Sequence, residues 1–227
     1  GTLTTNAKLY KNLPYDPSKD FAPIALTSKL GFVLAVNPAT PVHSMAELVT
    51  YARERPGQLS YGSTGIGTAA HMTGFLFSQV TGMGATHIPY KGAEATRDLV
   101  AGRLQYMFAT IPSVAPLIKA GQLQALAIST GARSRSLPEV PTFKEAGVNM
   151  LASAWYGLML PAGAPQEVID RLNRDVLTLL RSPEIRQKLT SMGALVMGST
   201  PQEFAATIKS EMGRLGKVIR DAGIRDE

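Results

Sequence analysis

Cysteine is absent from the 227 residues. That excludes disulfides, thiolate metal sites and a cysteine nucleophile, and leaves reducing and oxidising compartments equally open. Aromatic residues make up 7% of the chain, with a single tryptophan, and charged residues 18%. The basic side chains are scattered, so a net charge of +6 favours anionic partners without the dense basic surface that nucleic acid requires. The densest basic patch, Arg133-Ser134-Arg135, reads as a solvated loop. A long apolar run is missing too. The uncharged stretch from Ala146 to Gln166 is interrupted by Asn149, Gly157, Pro161, Gly163 and Pro165, and reads as a buried strand with flanking turns rather than a membrane span. Insertion into a membrane is not expected. The chain opens Gly1-Thr2-Leu3-Thr4-Thr5, with no basic-then-apolar leader.

With 44% hydrophobic residues the chain can bury a core of one large or two modest domains. Short apolar runs alternate with helical patterns. Strands are expected at Phe32–Val36, Leu59–Tyr61, His87–Tyr90, Leu104–Phe108, Gln124–Ser129, Trp155–Leu160 and Leu195–Met197. Ser44-Met45-Ala46-Glu47 and Thr200-Pro201-Gln202-Glu203 carry the spacing of capping boxes. A short helix starts at Ser182-Pro183-Glu184 and stops by Gly193, and the last helix runs to Gly223. The alternation predicts an α/β fold with largely parallel sheets. Residues 1–31 read as loop, with a turn cluster at Leu13-Pro14-Tyr15-Asp16-Pro17. The helix-rich end is short of strands, so the two ends read together as remnants of a further lobe whose central strands are missing.

The densest information lies in Ser60-Tyr61-Gly62-Ser63-Thr64-Gly65-Ile66-Gly67-Thr68-Ala69-Ala70-His71. It reads as a strand, a glycine-rich turn and a helix start, with Gly82 stopping the helix. A helix start presents unpaired N–H groups and the positive end of the macrodipole, a setting that can hold an anion. From Pro56 to Tyr90 there is no Asp, Glu, Lys or Arg; Lys91-Gly92 closes the segment. An anion here would meet amides, hydroxyls and one nearby lysine. The alternative is a plain strand-to-helix turn whose glycines serve geometry alone.

Enzyme motifs fit this loop less well. A nucleotide-triphosphate loop needs a lysine where Thr68 follows Gly67. The dinucleotide pattern Gly65-x-Gly67-x-x-Ala70 is closer, but the next strand ends Ile88-Pro89-Tyr90-Lys91, without the acidic residue that grips a ribose. A nicotinamide-dependent oxidoreductase using Gly65-Ile66-Gly67 therefore stands as the alternative function. A nucleophile elbow wants glycine two residues before Ser63, where Tyr61 stands. His43, His71 and His87 show no metal-ligand spacing and no clustered carboxylates, so no metal site is expected.

Several phrases together resemble the substrate-binding receptors of tripartite tricarboxylate transporters, the Bug-type periplasmic family. They are Leu9-Tyr10-Lys11-Asn12-Leu13-Pro14-Tyr15-Asp16-Pro17, Asp20-Phe21-Ala22-Pro23, the Tyr61–His71 loop and Ile88-Pro89-Tyr90-Lys91-Gly92. Further on come Ile118-Lys119-Ala120-Gly121, Leu137-Pro138-Glu139-Val140-Pro141-Thr142, Glu145-Ala146-Gly147 and Trp155-Tyr156-Gly157-Leu158. The likeness covers the whole chain, in order.

This resemblance implies a type II periplasmic-binding-protein-like fold with two lobes and a hinge, closing around a small carboxylate without chemistry or cofactor. Crossings near Leu30–Phe32 and Leu151–Trp155 put residues 33–152 in a complete second lobe. Residues 1–32 and 153–227 would form the first lobe, incomplete because family members begin with further strand–helix units. The resemblance assigns Ser63, Thr64, Gly65, Gly67 and Thr68 to the ligand carboxylate. Tyr90, Lys91 and Gly92 are placed at the neighbouring strand end, and Ala109 at the floor of the interlobe cleft. His71 would brace the loop through its backbone, and Thr4, Thr5 and Asn6 would face the cleft from the first lobe. Family members often carry an acid at the position of Ala109, so its absence favours a plain carboxylate over an amino acid. Implied partners are membrane transporter subunits, with a periplasmic location. A receptor serving a signalling protein is the second alternative, and exposed sheet edges would favour pairing between chains.

Overall fold

The computed structural model describes residues 2–10 and 12–224. Lys11, part of the opening motif, lies outside the described residues. The chain divides into two compact units, one of Gly1–Lys29 and Trp155–Glu227 and one of Leu30–Ala154.

In the second unit a sheet is covered by helices on both faces. One of its inner strands is the end of β1 (Phe21–Val36), antiparallel to β4 (Tyr106–Thr110) on one side and β5 (Gln124–Ile128) on the other. Beyond β4 lies β2 (Ser60–Ser63), parallel to it, and then β3 (Thr86–Pro89), parallel to β2. The sheet is thus mixed, which corrects the expectation of largely parallel strands. Residues Val33–Val36 are completely buried, because β1 has a strand on each edge and a helical layer on each face. Such a strand reads as a continuous apolar run, as this one does.

Alternation along the strands sorts the core into two layers. Tyr61, Tyr106 and Phe108 face α2 (Met45–Arg53) and α3 (Ala69–Thr81), meeting Met45, Leu48 and Phe77. Met107 and Ala109 face α4 (Glu94–Val100) and α5 (Ile111–Lys119), meeting Leu99, Ile111 and Val114. α3 packs closely on β2, because Gly74 faces the Tyr61 ring. A Cβ at Gly74 would lie 2.8 Å from Tyr61 Cζ, closer than packed atoms tolerate. Helix ends follow local chemistry. Ser44 Oγ accepts from Glu47 N, and the Glu47 carboxylate reaches back one residue further than a regular box, to His43 N.

The first unit contradicts the loop reading of residues 1–31. It opens with α1 (Thr2–Leu9), and β1 already begins at Phe21, spanning 16 residues in all. Pro23, Lys29 and Gly31 punctuate that stretch like a loop, but neighbouring strands stabilise it as a strand. β6 (Ser153–Pro161) and β7 (Ala194–Val196) both pair with β1. Around them lie α6 (Gln166–Arg181), α7 (Pro183–Ser191) and α8 (Pro201–Ala222), with α1 along α8. Leu26, Phe204 and Ile208 form the core, with Trp155 and Met159 against it. Buried Asn173 donates to the carbonyls of Ile24 and Ser199, both at 2.8 Å, and so ties α6 to the sheet. β6 was expected to be buried; instead its Tyr156 and Leu158 are nearly half exposed. No helix among the described residues is long and apolar enough to cross a membrane.

Candidate functional site

Because β2, β3 and β4 are parallel, their carboxyl ends share one edge of the sheet. Each is followed by a helix start: residues 64–68 lead into α3, residues 90–93 into α4, and Thr110 into α5. Ligands in open α/β sheets bind at such an edge. The first of these connections holds most of the residues singled out by sequence.

Its conformation is set by internal hydrogen bonds. Ser63 is completely buried, and its Oγ lies 2.7 Å from His87 Nε2, 3.0 Å from Gly65 O and 3.2 Å from Gly65 N. Gly67 N donates to His71 Nδ1 at 3.0 Å. Thr68 donates its hydroxyl to Gly65 O at 2.8 Å and its amide to the same carbonyl at 3.3 Å. The Thr68 hydroxyl also accepts from His71 N, capping α3. Gly65 at φ 133° and Gly67 at φ 70° adopt backbone angles that a side chain disfavours.

These bonds occupy several of the expected donors. The Ser63 hydroxyl and the amides of Gly65, Gly67 and Thr68 are taken up within the loop. Among the described residues, no acceptor meets the amides of Thr64, Ile66 and Ala69. Thr64 is exposed, Ile66 and Ala69 half-buried. The dinucleotide reading loses its footing here, since the Gly65 and Gly67 amides it requires point inward.

Behind the loop runs a column of rings. Tyr61 pairs in register with His87 on β3 and Tyr106 on β4, so the three side chains lie on one face. Tyr106 stacks on Tyr61 at 5.5 Å, Tyr61 meets His87 at 5.0 Å, and His87 stacks on His71 at 3.7 Å and 8°. Desolvation disfavours the imidazolium form of both histidines. It lowers the pKa of His71 to about 4, and that of His87 to about 3 with help from its neighbour. Both rings are therefore neutral near pH 7, which suits face-to-face stacking. In sequence His71 and His87 both stand as candidate bases for Ser63, though such residues are more often packed or capping histidines; that His87, 24 positions away, bonds the hydroxyl was signalled only by the register opposite Tyr61. The hydroxyl is buried, and among the described residues no carboxylate orients the imidazole.

The remaining candidates separate. Tyr90 N donates to Ser63 O, so its backbone is part of the loop's support. Its phenol donates to Asp98 at 2.9 Å, and Asp98 in turn pairs with Arg103. That bond takes the phenol toward α4. Lys91 and Gly92 are exposed at the same edge, and Lys91 has no ion pair among the described residues. Ala109 is only 4% exposed and packs in the layer under α4 and α5, so its side chain lines no open surface. The half-buried end of that strand is Thr110. Thr4 and Thr5 are completely buried, and Asn6 donates to Tyr15 Oη.

Comparison with known proteins finds matches along nearly the whole chain. The profile of a family described as tripartite tricarboxylate transporter family receptor matches residues 1–224. Protein BugT of Bordetella pertussis is 31% identical over 225 residues, covering 98% of this chain and 69% of BugT. Rpa4515 of R. palustris, solved with adipate, superposes with a TM-score of 0.93 at 36% identity, over 99% of this chain and 76% of its own. MatC of Rhodopseudomonas palustris, solved with bound malate, gives 0.86 at 29% identity, over 96% of this chain and 76% of its own. The chain spans between 65% and 69% of the length of three curated relatives that it matches. Its fold is that of the periplasmic binding proteins, and the chain belongs to the tripartite tricarboxylate transporter receptor family.

Proposed function

We propose that this protein is an extracytoplasmic receptor that holds a small carboxylate at residues 64–69 and delivers it to a tripartite tricarboxylate-type membrane transporter. The observation that carries the reading is the loop itself. It is bonded from within and leaves the amides of Thr64, Ile66 and Ala69, at the start of a helix, with no acceptor among the described residues, in a segment with no acidic side chain between Pro56 and Tyr90. Amides at a helix start bind carboxylate oxygens through charge-assisted hydrogen bonds. Exposed Lys91 adds long-range attraction at the same edge. The likeness to proteins solved with adipate and with malate supports a dicarboxylate of four to six carbons as the ligand. Family membership supports a periplasmic location and partnership with transporter subunits.

Ser63, Gly65, Gly67, Thr68 and His71 build the loop in this reading, Thr64, Ile66 and Ala69 touch the anion, and the backbone of Tyr90 supports it. The test is calorimetric titration and thermal shift with adipate and malate, with a nicotinamide dinucleotide as control. A ligand that binds only the folded state raises the melting temperature as its concentration rises. Stabilisation by either dicarboxylate is expected. Stabilisation by the dinucleotide alone would overturn the reading.

A further inference from the structure

We propose that His87 is the positioning residue of the carboxylate loop: through Nε2 it fixes the Ser63 hydroxyl against Gly65, and so sets which amides of residues 64–69 face outward. The inference rests on the receptor reading and assigns a role to a residue with no place in the expected site.

Three observations converge on it. First, among the described residues His87 reaches the glycine turn by hydrogen bonding through Ser63. It meets the Ser63 hydroxyl at 2.7 Å and the rings of Tyr61 and His71. Ser63 Oγ in turn lies within bonding distance of both the amide and the carbonyl of Gly65. A hydroxyl has one proton and two lone pairs, so its orientation decides which of these groups it serves. His87 is the partner that settles that choice. Second, the imidazole is contacted by two rings. It meets Tyr61, its partner across β2 and β3, at 5.0 Å and stacks on His71, parallel to it at 3.7 Å. Third, His71 grips the other leg of the turn, accepting from Gly67 N at 3.0 Å. The two stacked imidazoles therefore pin the loop at both ends, His87 through Ser63 at its entry and His71 at Gly67. The intervening Thr64 and Ile66 amides, with no acceptor among the described residues, lie between the two clamps.

A group acting through Ser63 makes a specific prediction. Losing His87 and losing the Ser63 hydroxyl should have the same consequence, and losing both should add nothing. The experiment compares the wild-type chain with His87→Ala, His87→Gln, Ser63→Ala and the His87→Ala/Ser63→Ala double variant. Adipate and malate affinities are read by calorimetry, folding by circular dichroism, and the Gly65, Ile66 and Gly67 amides by NMR without ligand. Each alanine variant is expected to weaken binding about tenfold, the order expected when a buried hydrogen-bonding group loses its partner. The double variant should weaken it no further. Gln, whose amide nitrogen can replace Nε2, should restore most of the affinity. In the absence of ligand, His87→Ala and Ser63→Ala should move the Gly65 and Gly67 amide signals in the same direction.

Wild-type affinity in folded His87→Ala overturns the proposal, as does a double variant whose losses multiply to about a hundredfold. If His87→Ala fails to fold, the contrast between His87→Gln and Ser63→Ala still decides, with equal loss in both counting against it. If the wild-type chain binds neither acid, the receptor reading falls by itself, and the ligand-free amide signals still judge whether His87 sets the loop.

Discussion

At the residue scale, buried histidines and an exposed threonine govern behaviour. The pKa values of His71 and His87 fall from the ordinary 6.5 to about 4 and about 3. The unfolded chain therefore takes up protons below pH 6.5 that the folded chain refuses. Stability is fully present above that value and declines as pH falls toward 4, by at most about 1.4 kcal/mol per pH unit for the buried His71. Solvent reaching half-buried His87 lessens its share. Urea denaturation at pH 7, 6, 5 and 4 should show this decline, and a His71→Asn variant should flatten it. A flat wild-type profile would contradict the neutral stack. At Thr64, exposed beside the outward amides, Thr64→Asp should leave the melting temperature unchanged. It should weaken adipate binding about tenfold or more, since a carboxylate would then face a carboxylate. His71 was legible as a brace because it lies three residues beyond its N-cap, where local geometry brings it back to the turn. His87 was not, because only pairing of β3 with β2 brings it to Ser63.

At the element scale, the signals that are local in sequence were also legible. Thr200 caps α8 with Glu203 reaching back, as the four-residue spacing predicts. Thr200→Ala should cost about 1 kcal/mol in chemical denaturation, the usual worth of an N-cap. Glu47 departs from the same rule by bonding His43 N, a detail of chain entry that spacing does not contain. Close approach is a second kind of element-level constraint. Gly74→Ala should destabilise the protein by about 1–3 kcal/mol, because the added methyl meets the Tyr61 ring where α3 crosses β2. The periodicity of α3 located the helix, but nothing in it marked Gly74 as the point of contact. The missed first part of β1 has a similar cause. Pro23, Lys29 and Gly31 look like breaks, and only pairing with β6 and β7 makes that segment a strand.

At the scale of the whole molecule, each unit has its own core, so damage should remain local. Phe204 is completely buried in the first unit. Phe204→Ala should cost about 3 kcal/mol or more. In hydrogen exchange, β6 and α8 should lose protection while β2 and β4 retain theirs. Equal loss throughout would show that the two units unfold as one. The sequence by itself determined the alternation of strand and helix, the helix caps, the uncharged glycine-rich turn and the family, because each is written in neighbouring residues or in an ordered set of short phrases. The tertiary structure decided which hydrogen-bonding groups of that turn are taken up within it. That choice depends on His87, Ser63, Gly65, His71 and Gly67 meeting in three dimensions, and pairing across strands leaves no trace in the spacing of residues along one chain.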